Sequence, residues 1–385
     1  MERREFLKLS ALAPFVGAPR LVRAALDPAV RRLLVLVELK GGNDGLNTLV
    51  PFGDPRYGEL RPRLAIPREQ AIHLTETMGL HPSLAPLKPA WDAGELALVQ
   101  GIGYPAPNLS HFRSIEIWDT ASRSDQYLEE GWLARAFERS PRPASYAAEG
   151  VVVGAGGMGP LAGRSVRAIA LANPEQFVRS AHLVHAEHER PRNASLAHIL
   201  HVENEVAASA ERLRGMARDF RTEFPAGPFG AASRATAQLA ANPAGIAVVR
   251  LSLGSFDTHA NQLPVQANLL RQLGEGLAAL RSALTEAGLW KGTVVATYAE
   301  FGRRARENES GGTDHGTASV HLVLGGAVRG GMHGAAPSLA RLDGDGNLVH
   351  AVDFRAYYAT LLDRWLGIDS RDVLGGRFAP LPVLA

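Results

Sequence analysis

The sequence predicts an α/β protein, and three observations carry the prediction. Arg32–Leu39 (RLLVLVEL), Ile246–Leu253 (IAVVRLSL) and Val294–Ala296 are continuous apolar runs, the pattern of buried strands. Helical patterns lie between them, at Leu84–Ala93, around Ile115, Trp118 and Ala121, and over Val265–Ala287. Each strand runs into a polar loop, and in open α/β sheets that edge is where ligands bind.

In chain order, the run Arg32–Leu39 is followed at once by Lys40-Gly41-Gly42-Asn43-Asp44-Gly45. Glycines let the backbone turn sharply there and leave Asp44 at the strand's C-terminal edge. Leu96–Val99 reads as a short strand, ending at Gln100-Gly101-Ile102-Gly103. Ser110 then stands at the start of a helix, where a hydroxyl either caps the helix or helps its N-terminus hold an anion. Val151–Val153 leads into Gly154-Ala155-Gly156-Gly157-Met158-Gly159, which matches G-x-G-x-x-G and keeps a dinucleotide site open as a remote alternative. Pro160 and Gly163 interrupt the helix that such a site needs.

His182, His185, His188, His198 and His201 crowd the segment Phe177–His201, and a long helix is expected over Leu196–Phe220. The spacing suggests a helical cap or insertion at about 170–230 with solvent-facing histidines, because H-E-x-x-H is absent. After Ile246–Leu253 comes Gly254-Ser255-Phe256-Asp257-Thr258-His259. Asp257 and His259, two apart on an extended segment, face the same side and make a plausible metal pair. The stretch Thr293–Gly326 is the densest in chemistry: Glu300 just past a strand, Arg303 in the loop, then Thr313-Asp314-His315-Gly316 before a second apolar run, Val320–Leu324. Asp343-Gly344-Asp345-Gly346-Asn347 lacks the later residues of a calcium loop and reads as a turn. Asp353–Leu366 closes the chain as a helix.

Composition narrows the classes. At 385 residues the chain can bury a large core, and 46 per cent hydrophobic with 21 per cent charged residues is globular. No cysteine is present, which excludes disulfides, iron–sulfur ligation and thiolate zinc sites. Met1–Lys8 carries the pair Arg3-Arg4, a mildly apolar stretch runs from Leu9 to Pro19, and Val22-Arg23-Ala24 offers a cleavage site. This is the layout of a twin-arginine export signal over residues 1–24. The apolar stretch is too short to span a membrane, so no stable membrane insertion is expected. Removing residues 1–24 takes the formal charge from +2 to −1. The basicity therefore belongs to the leader, and no nucleic-acid footprint is left.

Strand ends thus gather Asp44, Asp257, His259, Glu300, Asp314 and His315 as candidate metal ligands, with Ser110, His111 and Arg303 as candidate catalytic groups. Carboxylates mixed with imidazoles suit zinc, manganese, magnesium or calcium. G-x-S-x-G and the P-loop pattern are both absent.

The segments ELKGGNDGLNTLVP, GLHPSLAPL, NLSHFRSIEIWDT, FDTHANQ, AEFGRR, TDHGTASVHLVLGG and DFRAYYATLLDRWLG together resemble the exported family catalogued as domain of unknown function 1501. That family looks like a branch of the alkaline phosphatase and sulfatase superfamily. The resemblance implies a three-layer α/β/α fold with a mostly parallel central sheet, in one domain over 25–385. It implies hydrolysis of an anionic phosphate or sulfate ester at one or two divalent metals. Asp44 would be the first-strand metal carboxylate and Ser110 the nucleophile. Asp257, His259 and His315 would hold one metal tightly, and Asp44, Ser110 and Glu300 a second one weakly. The superfamily's Asp-His-Gly is Glu300-Phe301-Gly302 here, so an imidazole is missing from that second site. A non-catalytic, exported anion-binding or assembly protein on the same fold stays open beside the hydrolase.

The leader implies passage through the twin-arginine translocase to the periplasm or beyond. Replacing Arg3 and Arg4 together by lysine is expected to hold the chain in the cytoplasm as an uncleaved precursor, read by fractionation and immunoblot.

Overall fold

β1 (Leu33–Leu39) is buried along its whole length because it is central. It pairs in parallel with β8 (Ile246–Leu253) on one side and β9 (Thr293–Tyr298) on the other. A strand covered on both faces has no polar side, which is why its sequence does not alternate. The computed structural model describes residues 31–154, 156–171 and 218–384. Most of the expected cap, the histidine-rich run and most of the helix expected up to Phe220 lie outside them.

Among the described residues the main sheet also contains β5 (Leu96–Gly103), β6 (Ala148–Val153), β7 (Ala168–Leu171), β10 (Ser319–Gly325), β11 (Gly331–His333) and β12 (Val352–Asp353). The order is β11-β5-β10-β9-β1-β8-β6-β7, with β12 also on β5. Only the pairings made by β10 are antiparallel, so the sheet is mostly parallel as expected. A second, antiparallel sheet joins β2 (Leu49–Val50), β4 (Gly79–Leu80) and β3 (Ile72–His73). Strands of two residues leave no periodicity, and the sequence gives no sign of them.

Alternate side chains of β1 serve two cores. Leu33, Val35, Val37 and Leu39 pack with Leu270, Leu273, Leu277 and Leu280 of the helix Gln262–Glu286. Leu34 and Leu36 pack with Trp118 of the helix His111–Thr120, Trp132 of Trp132–Arg139, and Phe354 and Tyr358 of the closing helix. Helices on both faces of one sheet make the three layers α/β/α.

β6 ends at Val153, and among the described residues the segment after it forms only the three-residue turn Gly159–Leu161. The dinucleotide reading needs an α-helix whose N-terminus faces the phosphates. The loop instead packs on Arg250, whose Nη1 donates to the Gly157 carbonyl at 2.7 Å.

Arg250 shows how the two-sided burial is interrupted. In register it faces Leu36, so Glu38 lies diagonally across on the same sheet face. Arg250 Nη2 and Glu38 Oε2 are 2.5 Å apart and both side chains are buried. Burial raises the Glu38 carboxyl above its ordinary range, against the pull of Arg250 and Lys40. Removing one partner of such a pair leaves an uncompensated buried charge. Arg250→Met is therefore expected to cost about 3–5 kcal/mol in urea unfolding. The double variant with Glu38→Leu should recover most of it.

Candidate metal centre

The centre sits where the loops after β1, β8 and β9 meet. β1 lies between β8 and β9 and runs parallel to both, so the C-terminal ends of the three strands open side by side, the edge where ligands bind in open α/β sheets. Close contact between the loops needs glycine. Gly41 has φ +108°, and a Cβ there would lie 2.4 Å from the Asp257 nitrogen. Gly312 lies equally close to the Thr258 and His259 backbone.

Four side chains converge. His259 Nε2 is 3.0 Å from His315 Nε2, and each is 3.1 Å from Asp257 Oδ1. His111 Nε2 stands 3.3 Å from Asp257 Oδ2. The ligand atoms of His111, Asp257 and His315 all fall within 4.8 Å of one another.

The far nitrogen of each ring is engaged. His315 Nδ1 is 2.8 Å from the Leu109 carbonyl, which only accepts, so the neutral ring keeps its proton on Nδ1. His259 Nδ1 meets Asp314 Oδ1 at 3.2 Å, and His111 Nδ1 meets Glu300 Oε1 at 2.9 Å. With its proton on the Nδ1 so engaged, each ring turns a bare Nε2 lone pair inward. Two lone pairs 3.0 Å apart beside a carboxylate repel unless a cation lies between them. Orienting a ligand imidazole through its other nitrogen is the usual outer-shell arrangement of a metal centre. A zinc-like ion takes histidine nitrogen at about 2.0–2.1 Å with tetrahedral angles, which sets donors about 3.3 Å apart. The observed triangle is close to that, so the residues present fit a divalent ion.

Electrostatics keep these groups in ligand form. Burial works against the Asp257 charge, but the hydrogen bond and charge of Arg303, then His315, outweigh it and hold the carboxyl at about 2. Burial lowers the His315 pKa, with Arg303 and His111 adding to it against Leu109 and Asp257. At neutral pH Asp257 is therefore ionised and His315 is neutral.

The remaining sequence candidates take other places. Asp44 was expected as a ligand, but its buried carboxylate is held by Arg61 Nη1 at 2.5 Å, Arg61 Nη2 at 3.0 Å and Gln262 Nε2 at 2.5 Å. It also caps the short helix Gly45–Thr48. With the Leu46 amide as the fourth donor, two on each oxygen, the carboxylate has no lone pair to spare for a metal. Glu300 does not join Asp44; it accepts from Gly41 N at 2.8 Å and orients His111. The second, oxygen-only site is thus not assembled. Asp314 stands one shell out, on His259 and Asn308. Arg303 cannot reach a substrate. It is buried, and its donors go to Gly41, Gly42, Phe256 and Thr313 carbonyls and to Asp257 Oδ1 at 2.7 Å. Ser110 occupies the N-cap position of His111–Thr120 but makes no capping bond through its hydroxyl. It is exposed, between Leu109 and His111, both of which touch the centre.

An α/β fold with a cluster of imidazoles and carboxylates at the C-terminal ends of its parallel strands is the class these observations define. The chain belongs to the family described as protein of unknown function DUF1501, whose model matches residues 31–378. No curated protein matches it. Solved structures similar to it include the C-terminal periplasmic domain of EcEptC from Escherichia coli in complex with zinc, at 11% identity and TM-score 0.39 over 77% of this chain and 73% of that one. The phosphonate monoester hydrolase SpPMH from Silicibacter pomeroyi is 11% identical, with TM-score 0.41 over 91% and 75%. The phosphonoacetate hydrolase from Sinorhizobium meliloti 1021 is 13% identical, with TM-score 0.31 over 71% and 57%.

Sequence reasoning missed Arg61 and Gln262. Gln262 is fully buried. Its Oε1 accepts from Thr258 Oγ1 at 3.0 Å and Thr313 Oγ1 at 2.6 Å, while its Nε2 donates to Asp44. Thr258 lies between Asp257 and His259, and Thr313 immediately precedes Asp314-His315. One amide therefore pins the two ligand loops to each other and to the β1 loop. Gln262→Ala is expected to weaken zinc binding by about 10- to 100-fold, measured by competition with a chromophoric chelator. A change under about threefold would leave loop spacing to Arg303 alone.

Proposed function

We propose that this protein is an exported, metal-dependent hydrolase of phosphate or sulfate esters. The observation that carries the reading is the convergence of three Nε2 atoms on Asp257, with Ser110, the residue before His111, making no capping bond through its hydroxyl. Asp257, His259 and His315 would hold the ion, with His111 flanking it. This imidazole-rich set favours a zinc-like ion over calcium or magnesium. A divalent ion held there supplies Lewis-acid polarisation of the ester's phosphoryl or sulfuryl oxygen.

The chain's own groups do the rest. Ser110 Oγ attacks phosphorus or sulfur, the alcohol leaves, and water then releases the phosphate or sulfate and regenerates serine. The first amides of His111–Thr120 face the anion from a helix N-terminus. Arg303 keeps Asp257 charged and in place. Glu300 and Asp314 fix the His111 and His259 rings. Export through the twin-arginine translocase to the periplasm or outside is part of the same reading. It rests on Arg3-Arg4 and on the fact that no helix among the described residues is long and apolar enough to cross a membrane.

The Asp44–Arg61 pair favours the second reading, an anion-binding protein without turnover, because it removes the oxygen ligands of a second metal. Purified mature protein, loaded with zinc or manganese, separates the two on p-nitrophenyl phosphate and p-nitrophenyl sulfate. Turnover of either ester is expected. Ser110→Ala should lose about a thousandfold or more in kcat with its metal content unchanged. His315→Ala should lose both metal and activity. Metal-loaded wild type that turns over neither ester moves the protein to the binding reading.

Acidification tests the ligand set. Bound metal requires neutral imidazole, and burial lowers the His315 pKa, so metal should be retained at neutral pH and released in acid as His315 gains its proton. Release should be complete well above the value of about 2 at which Asp257 gains its proton. Elemental analysis after dialysis at stepped pH reads this directly.

A further inference from the structure

We propose that a cavity beside the Asp44 loop binds a small neutral molecule that is mostly hydrocarbon and carries one hydroxyl or carboxamide group. The cavity has a volume of about 390 Å³, within the range of about 300–1,000 Å³ in which proteins hold small ligands. Leu46, Leu49, Pro51, Met78, Val320 and Leu348 give it apolar walls. None of His111, Asp257, His259 or His315 lines it, and the proposal does not depend on the hydrolase reading.

Gln100 is the feature that asks for a ligand. It lines the cavity and is only 6% exposed. Its side-chain amide has no hydrogen-bond partner among the described residues. Leu96 and Leu98 of β5 face the core that contains Leu49 and Val320, and Gln100 is next in the same alternation. A leucine there would extend the core with no desolvation cost. A glutamine instead presents two N–H donors and one carbonyl that no described protein group takes up, open to whatever fills the cavity. The strand is also deformed at this point. Ser319 pairs with Ile102 and His321 with Val99, so two residues, Gln100 and Gly101, face the one residue Val320. Gly101 takes φ +64°. Bulges of this kind re-aim a side chain beside a site.

The charge of the ligand follows from the lining. No lysine, arginine or histidine borders the cavity. Its one carboxylate, Asp54, is occupied by the Arg56 backbone amide at 3.0 Å and the Arg56 guanidinium at 3.6 Å. An anion finds no counter-charge, and a cation finds only the Asp54 carboxylate at the half-exposed rim, already shared with Arg56, whereas a hydroxyl or carboxamide pairs with both ends of the Gln100 amide. The wall residues Gly53, Pro55, Thr77 and Ala336 are exposed and offer a way in.

The test titrates the purified full chain with hexanamide, 1-hexanol, hexanoate and hexylammonium, using calorimetry and ligand-observed NMR. Hexanamide and 1-hexanol are expected to bind saturably, and the two ions at least tenfold more weakly. Gln100→Leu should weaken hexanamide at least tenfold. Ala336→Trp, at the exposed rim and remote from the core, should abolish binding of both neutral probes. The proposal is overturned if wild type binds neither neutral probe, if the ions bind as tightly as the neutral molecules, or if Ala336→Trp leaves binding intact.

Discussion

The buried guanidinium of Arg303 is the interaction on which the centre depends. Its donors reach the Gly41 and Gly42 carbonyls in the loop after β1, the Phe256 carbonyl and Asp257 carboxylate after β8, and the Thr313 carbonyl ahead of His315. Three loops that leave three strands are thereby gathered on one planar fork. Arginine suits this because its donors point outward in fixed directions and its charge is never lost. A buried cation is tolerated only with its donors satisfied. Here four carbonyls and one carboxylate do so, and the carboxylate is the group on which the imidazoles converge. The same contact that neutralises Arg303 thus orients Asp257 and holds it ionised.

That arrangement depends on the sheet beneath it. β1, β8 and β9 are adjacent and parallel, so their C-terminal ends lie side by side. The loops must then pass within backbone contact of one another, which the glycines at 41 and 312 permit. β10 returns antiparallel to β9 and delivers Asp314 and His315 from the opposite direction. Among the described residues β10 is the one strand of this sheet that runs against its neighbours, and the connection into it from β9 brings His315 to Asp257.

The strands were legible in the sequence because burial on both faces writes a continuous apolar run, and RLLVLVEL, IAVVRLSL and TVVA are such runs. The short strands at Leu49–Val50, Ile72–His73 and Gly79–Leu80 were not, since two residues carry no period. At the centre, residue types were legible and roles were not. Asp44, Asp257, Glu300 and Asp314 all follow strands or lie in loops, and nothing local tells a ligand from a counter-ion. The difference is made by distant partners. Asp44 meets Arg61, 17 residues on, and Gln262, 218 residues on; Asp257 meets His259, His315 and Arg303. The signal for His111 was present in NLSHF, as a histidine placed one residue past a helix start. Only the fold shows that its ring turns between Glu300 and Asp257.

The charges at the centre do not cancel among the described residues. Asp257, Glu300 and Asp314 bring three carboxylates to the histidines, and Arg303 is the one guanidinium bonded to the set. With neutral rings this leaves a formal charge of −2 around the bare Nε2 atoms. Protonating an imidazole would relieve part of it, but the desolvation that lowers the His315 pKa opposes that route at the ring nearest both its neighbours. A dication answers the charge and the lone pairs together. By contrast, Asp44, one loop away, already has its cation in Arg61. Two carboxylates that look alike in sequence are therefore distinguished by which of them the fold has already neutralised, and the metal-type centre forms at the one whose neighbours are imidazoles.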